Sequence, residues 1–185
     1  MKAILPAIAI ATSGLLGLAS FSAQAADGTI TITGTVSDTT CSINGTATGT
    51  PADKSITLPS VSAGSLSTAG NVAGTSNPSD LALTLSGCTG AATKAIARFE
   101  NGPTVDQTNG YLNNSGTATK VQVRLLNAQM QPINIMTNAN NDISTNSTMI
   151  SGGGASVKYF AQYFSEGKAT AGTVSTSVQY TMQYQ

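Results

Sequence analysis

The sequence contains no histidine and only two cysteines, Cys41 and Cys88. The absence of histidine excludes Ser-His-Asp and Cys-His catalysis and every histidine-containing zinc site. Glu100 and Asp106 are the nearest approach to a catalytic carboxylate pair, and a turn between two strands explains both as surface residues. The sequence therefore predicts neither an enzyme nor a bound metal or cofactor.

Charged residues are also scarce, at 9% of the chain, with 8 Lys and Arg against 8 Asp and Glu. Such a balance provides no basic surface for nucleic acid or anionic lipid. After the first residues, no apolar run is long enough to span a bilayer. We expect neither a nucleic-acid partner nor membrane insertion.

The start of the chain has the features of a secretory signal peptide. Lys2 is followed by an apolar stretch to Leu18, and the small residues Ala23-Gln24-Ala25 form a cleavage site. We therefore predict a signal peptide over residues 1–25. In an oxidising compartment, Cys41 and Cys88 are expected to form one structural disulfide, and closing that loop contributes roughly 4 kcal/mol on the chain-entropy model.

Several short segments alternate between apolar and polar residues, which is typical of β-strands. The clearest are residues 28–36, 81–85, 121–125 and 172–185, with shorter or weaker patterns at 55–58 and 95–99. Residues 157–164 are rich in aromatic, strand-forming residues expected to pack in the core. The asparagine-rich residues 137–147 are predicted to form a solvated loop. No helical period follows residue 25, so we predict an all-β sandwich.

The alternation in residues 172–185 places one set of side chains on a single strand face: Val174, Val178, Tyr180, Met182 and Tyr184. No later strand follows in the sequence to pair with this one. Because unpaired strand edges are normally covered, we expect another polypeptide to pair with it.

These segments together resemble the chaperone–usher pilins, and specifically the type 1 fimbrial shaft-subunit family. The matching stretches are GTITITGTVSDTTCSI (28–43), SITLPSVSAGSL (55–66), LTLSGC (83–88), VKYFAQYF (157–164) and ATAGTVSTSVQYTMQYQ (169–185). Gly172, fourteenth from the end, and the penultimate Tyr184 also match the family.

The resemblance implies an incomplete immunoglobulin-like sandwich that lacks its C-terminal strand and is completed in trans by donor-strand complementation. The domain would comprise residues 37–185, preceded by a donor-strand extension over residues 26–36. By the same resemblance, the donor residues are Gly28, Ile30, Ile32 and Gly34. The acceptor groove and the surface recognised by chaperone and usher comprise Gly172, Val174, Val178, Tyr180, Met182, Tyr184 and Gln185.

The implied function is that of a structural fimbrial subunit, exported through the periplasm to the cell surface for adhesion. Its implied partners are further copies of itself, sibling pilins, a periplasmic chaperone and an outer-membrane usher. The major shaft subunit is the leading interpretation. The alternatives are a minor fimbrial subunit and a single-domain secreted carbohydrate-binding adhesin. Whether Gly34 and Val36 belong to the donor segment or to the first strand of the domain stays open.

Overall fold

The computed structural model of the chain describes residues 29–34, 36 and 38–185. It divides into two units, Met1–Thr35 and Val36–Gln185. The first unit contributes residues 29–34, which adopt neither helix nor strand. The alternation in residues 28–36 is therefore not expressed as a paired strand in the described part of this segment. The predicted signal peptide and Gly28 lie outside the described residues.

The unit Val36–Gln185 is an all-β structure of two antiparallel sheets. The strands are β1 (Thr40–Ile43), β2 (Val72–Ala73), β3 (Leu81–Thr89), β4 (Lys94–Phe99), β5 (Leu112–Asn113), β6 (Val121–Leu126), β7 (Thr148–Met149), β8 (Ala155–Ser165) and β9 (Tyr180–Tyr184), with one 3₁₀ helix at Ala63–Leu66. The larger sheet has the order β1-β3-β8-β6-β5, with β2 also paired to β8, and the smaller has the order β7-β4-β9. The prediction of an all-β fold is confirmed.

Strand β8 shows how the period of two builds the core. Val157, Tyr159 and Ala161 are buried on its inner side, as alternation requires. Phe160 and Phe164 have the opposite parity and lie on the outer side, where Phe164 packs edge-on against Tyr111 with ring centroids 4.9 Å apart. The aromatic residues of this strand therefore lie on two faces, which corrects the expectation that all of them pack in the core.

Tyr159 connects the two sheets. Its ring packs edge-on against Phe99 of β4 at 4.9 Å, and its hydroxyl accepts a hydrogen bond from the Ala97 N–H at 3.0 Å and lies 3.1 Å from the Ala97 carbonyl. The Asn141 amide donates to the same carbonyl at 2.9 Å. Burial raises the pKa of Tyr159 well above its usual value. These bonds satisfy polar groups that would otherwise be costly to bury.

Asn141 corrects the expectation that residues 137–147 form a solvated loop. Its side chain is buried, because it provides hydrogen bonds to the core that an apolar residue could not provide. The rest of the segment contains turns and mostly exposed side chains.

Gln122 of β6 has the polar parity of the strand, yet the structure buries it at 1% exposure. Its amide donates to Asp106 at 2.8 Å and accepts from Asn109 at 2.7 Å, so residues of a neighbouring turn cover this side of the strand. The Thr108 hydroxyl and main-chain N–H also donate to Asp106 and hold the pKa of its carboxyl below the usual value.

The predicted disulfide is confirmed. It joins Cys41 in β1 to Cys88 in β3, two strands that are neighbours in the larger sheet. The bond therefore reinforces the short strand β1 at the edge of that sheet.

The strand predicted over residues 55–58 is absent, and residues 51–61 have no regular secondary structure. The alternation is nevertheless expressed, since Ile56 and Leu58 are half-buried against the core. No described strand pairs with this segment, so it forms no β-ladder. Alternation of apolar and polar residues does not by itself create a pairing partner.

Candidate binding groove

Strand β9 is an edge strand, because β4 pairs with one of its sides and no other strand of the described chain pairs with the other. Lys94 and Gln185 exchange main-chain hydrogen bonds of 2.9 and 3.1 Å, and the Glu100 N–H donates to the Gln179 carbonyl at 2.9 Å. The odd-numbered residues of β9 thus point their main-chain groups at β4. By alternation, the N–H and C=O groups of Tyr180 and Met182 point to the open edge.

The same arrangement continues before β9 begins. The carbonyls of Thr173 and Ser175 accept main-chain hydrogen bonds from Ala118 at 3.0 Å and Ser115 at 2.9 Å, and the Ser177 carbonyl accepts one from the Thr104 hydroxyl at 2.7 Å. Odd-numbered residues therefore face the body of the domain along the whole segment. The open edge extends over residues 174–184.

The side chains of residues 174–184 follow the same parity. Five apolar or aromatic residues are half-buried and pack against the core on one face: Val174, Val178, Tyr180, Met182 and Tyr184. Thr176 shares this face, and its hydroxyl oxygen is buried without a hydrogen-bond partner in the described chain. The structure therefore brings five of the seven residues named for the acceptor groove onto one face, and Gly172 and Gln185 lie at the two ends of this segment.

These residues form one wall of a groove with a volume of about 1360 Å³. Residues 48–58 form the opposite wall, with Ile56 and Leu58 turned inward. Side chains of the larger sheet form the floor: Leu81, Leu83, Val123, Leu125, Tyr159, Ala161 and Tyr163. The groove thus combines an apolar interior with a row of open main-chain groups, the combination that binds an extended peptide as an added strand.

Tyr180 spans the groove. Its hydroxyl donates a hydrogen bond to the Ala52 carbonyl in the opposite wall at 2.7 Å. Burial, and secondarily the negative charge of Asp53, raise the pKa of Tyr180 further above neutrality. The phenol is protonated at neutral pH in either case and can donate. Burial also raises the pKa of Tyr184, with a smaller effect from Tyr180. The sequence does not predict that residues 48–58 form the opposite wall of the groove. The alternation of residues 55–58 indicates only that Ile56 and Leu58 share a face.

Gly172 lies at the start of the groove strand, where the backbone packs closely. A Cβ atom there would lie 2.4 Å from the Ala118 nitrogen and 2.7 Å from the Thr117 carbonyl carbon. Gly116 faces the same crossing, with an added Cβ 2.2 Å from the Thr173 oxygen. Glycine is required by this close approach rather than by an unusual backbone angle. At the other end, the Gln185 carbonyl accepts from Thr93 and Lys94, while its side chain is exposed.

The residues named for the donor segment lie in the first unit. Ile30 and Ile32 are 89% and 90% exposed, and a Cβ on Gly34 would meet no atom within 4 Å. Both isoleucine side chains are therefore accessible to another molecule.

Within residues 29–34, 36 and 38–185, no helix is long and apolar enough to cross a membrane. Over the same residues, no three or more Cys, Asp or Glu side chains group so that they could hold a metal ion.

The fold is that of subunits from chaperone–usher pili. A solved chaperone–usher pilus structure, described in terms of rod uncoiling, aligns with a TM-score of 0.56 at 25% identity, covering 86% of this chain and 96% of its own. The P pilus rod subunit PapA aligns at 0.53 and 19% identity, over 78% and 99%, and so supports the fold alone. The chain is thus an immunoglobulin-like, all-β pilus subunit, as predicted.

Relatives in sequence make the assignment more specific. The chain is 39% identical to the major fimbrial subunit SMF-1 of Stenotrophomonas maltophilia (strain K279a), over 92% of this chain and 99% of the relative. It is also 39% identical to the F17 fimbrial protein of Escherichia coli, over 93% and 96%. The minor fimbrial subunit HifD of Haemophilus influenzae is 35% identical over 88% and 76%.

The sequence profile of the fimbrial protein family matches residues 30–185. The chain belongs to that family and is a structural fimbrial subunit, exported to the cell surface. The predicted family, function and location are confirmed.

Proposed function

We propose that this subunit polymerises by donor-strand exchange, in which residues 28–34 of one copy enter the groove beside β9 of the next copy. The observation that carries this proposal is an apolar groove whose wall presents unpaired main-chain groups over residues 174–184. The chain itself contains a matching segment, with Ile30 and Ile32 on one parity and fully accessible. In this role the chain is structural and catalyses no reaction.

The energetics favour such an insertion. Burying each isoleucine side chain contributes about 2–3 kcal/mol, and each main-chain hydrogen bond formed along the open edge adds about 1 kcal/mol. The hydroxyl of Thr176, buried without a partner in the described chain, would also gain access to polar groups of the inserted strand. Gly28 and Gly34 leave room for close approach at either end of the isoleucine pair.

The proposal requires the groove to be covered before polymerisation. An open strand edge beside an apolar groove is a site of aggregation, so a partner that supplies a temporary strand is needed. The family resemblance implies a periplasmic chaperone in that role and an outer-membrane usher where the exchange takes place. Residues 172–185, including Gln185, are the surface we assign to these partners.

We further propose the role of major shaft subunit. The 39% identity to a major fimbrial subunit over 99% of its length supports this choice, and the weaker match to a minor subunit is the alternative. Electron microscopy of cells lacking the chain distinguishes the two. Loss of all fibres indicates the major subunit, and fibres altered only in length or number indicate a minor one.

A peptide with the sequence of residues 26–36 tests donor-strand exchange directly. Thermal unfolding of the purified chain is followed with and without the peptide, and a scrambled peptide of the same composition serves as the control. We expect the donor peptide alone to raise the unfolding midpoint and to suppress self-association, because a ligand that binds only the folded state stabilises it. A chain that is fully stable alone and indifferent to the peptide would overturn the proposal.

A further inference from the structure

The wall of the groove opposite β9 is tethered unusually weakly. Within the described part of the chain, residues 51–61 make one hydrogen bond, from the Tyr180 hydroxyl to the Ala52 carbonyl. Otherwise Ile56 and Leu58 hold the segment through apolar contacts with the core. Among the described residues, this hydrogen bond is therefore the one polar contact that fixes the distance between this wall and β9.

That contact has the length needed to hold the groove open by one strand. A strand inserted between two others separates them by about 9.6 Å, twice the spacing of paired strands. A phenol side chain that carries a 2.7 Å hydrogen bond at its end spans a distance of that order. Tyr180 has the inward parity of the groove strand and packs against the core, and its hydroxyl reaches the opposite wall.

We propose that Tyr180 is a strut that keeps the acceptor groove open at the width of one strand. This inference rests on the proposed donor-strand exchange and adds a positioning role for one residue. Tyr180 acts by holding the Ala52 carbonyl, and with it residues 51–58, at a fixed distance from β9.

Without the hydrogen bond from Tyr180, burial of apolar side chains favours a closer approach of the two walls. Ile56 and Leu58 on one wall and Val178 and Met182 on the other line the same apolar groove, and burying them against one another is favourable. A collapsed groove does not admit a strand, so the fraction of binding-competent subunits falls. Loss of one neutral hydrogen bond changes such an equilibrium about fivefold, and the apparent affinity falls by the same factor.

The test compares the full mature chain with its Tyr180→Phe variant, using a fluorescent peptide of residues 26–36 in stopped-flow binding. We expect the association rate constant to fall about fivefold. The dissociation rate constant should change less than about twofold, since strand pairing holds both walls once the peptide is bound. Replacing Tyr180 by 4-aminophenylalanine, which retains a donor at the same position, should restore the association rate. Tyr111→Phe is the control, because Tyr111 lies on the outer face against Phe164.

The outcomes separate the possible errors. If the wild-type chain does not bind the peptide, donor-strand exchange itself is wrong. If it binds and Tyr180→Phe associates at the wild-type rate, the hydroxyl has no positioning role. A faster association would mean that the hydrogen bond obstructs the groove, which also overturns the strut. Equal far-ultraviolet circular dichroism of both proteins excludes a folding defect, and an aminophenylalanine variant that stays slow refutes the proposal.

Discussion

Ile32 offers the sharpest test of which face of the donor segment enters the groove. The perturbation is made in the peptide of residues 26–36, so that folding of the subunit is unaffected. Ile32 is 90% exposed in the chain, and burying an isoleucine contributes about 2–3 kcal/mol. Ile32→Ala loses most of this, about 2 kcal/mol, which corresponds to a roughly 30-fold increase in Kd.

Ile32→Asp should weaken binding much further. It loses the same apolar burial and places a carboxylate against the apolar floor of the groove, where its desolvation costs several kcal/mol more. We expect an increase in Kd of about 1000-fold or more. Titration of the subunit with labelled peptides, followed by fluorescence anisotropy, measures the whole series.

Thr31→Asp is the matched control, because it introduces the same charge one residue away on the opposite parity. Its side chain would face solvent in the inserted strand, so Kd should change by less than about threefold, as expected for a surface charge. If Thr31→Asp and Ile32→Asp weaken binding equally, the facing assigned to the donor strand is wrong. If neither weakens it, the isoleucines do not occupy the groove.

Three further predictions concern the domain itself. Gly172→Ala should lower the free energy of unfolding, measured by urea titration, by about 1–3 kcal/mol, because the new Cβ would lie 2.4 Å from backbone. Gly102→Ala is the control. Open space surrounds Gly102, so the free energy of unfolding should change by less than about 0.5 kcal/mol. Tyr159→Phe should cost about 1–3 kcal/mol in the same assay, because it leaves the buried Ala97 N–H without its acceptor; an unchanged midpoint would contradict this. The hydrogen bonds from Thr108 lower the pKa of Asp106 in the folded state. The ionised Asp106 side chain therefore stabilises the fold fully above the unfolded-state pKa of about 3.9. This contribution to the free energy of unfolding disappears as the pH falls through the folded-state pKa. Asp106→Asn should therefore flatten the acid limb of stability between about pH 5 and 2, and a limb as steep as the wild type would refute the assignment.

Period-two alternation predicted much of this molecule because it depends on the chain alone. The patterns around Leu83, Val123 and Val157 correspond to β3, β6 and β8, whose inner residues form the core. The same pattern placed Tyr180 and Met182 on one face of β9, where the structure has them beside the groove. Apolar side chains at alternate positions require a buried face wherever the strand lies.

Period-two alternation could not predict the features that depend on contacts with residues distant in sequence. Ile56 and Leu58 alternate as expected, yet residues 51–61 form no strand, because a strand exists only with a partner for its main chain. Gln122 and Asn141 are polar residues in segments whose sequence predicts exposure. Their burial depends on hydrogen bonds to residues distant in sequence. The hydrogen bond between Tyr180 and Ala52 joins residues 128 positions apart, so the local sequence around either residue does not predict it.

If assembly follows the proposed donor-strand exchange, the single open edge of β9 limits how many neighbours each subunit can have. One edge accepts one strand, and each chain supplies one segment with the Ile30 and Ile32 pattern. Contacts between unlike surfaces of this kind extend head to tail instead of closing into a two-fold dimer. A fibre assembled in this way is unbranched and polar, and at any length it retains one vacant groove and one unused donor segment. Labelled donor peptide bound to intact fibres would therefore count fibres, independently of how many subunits they contain.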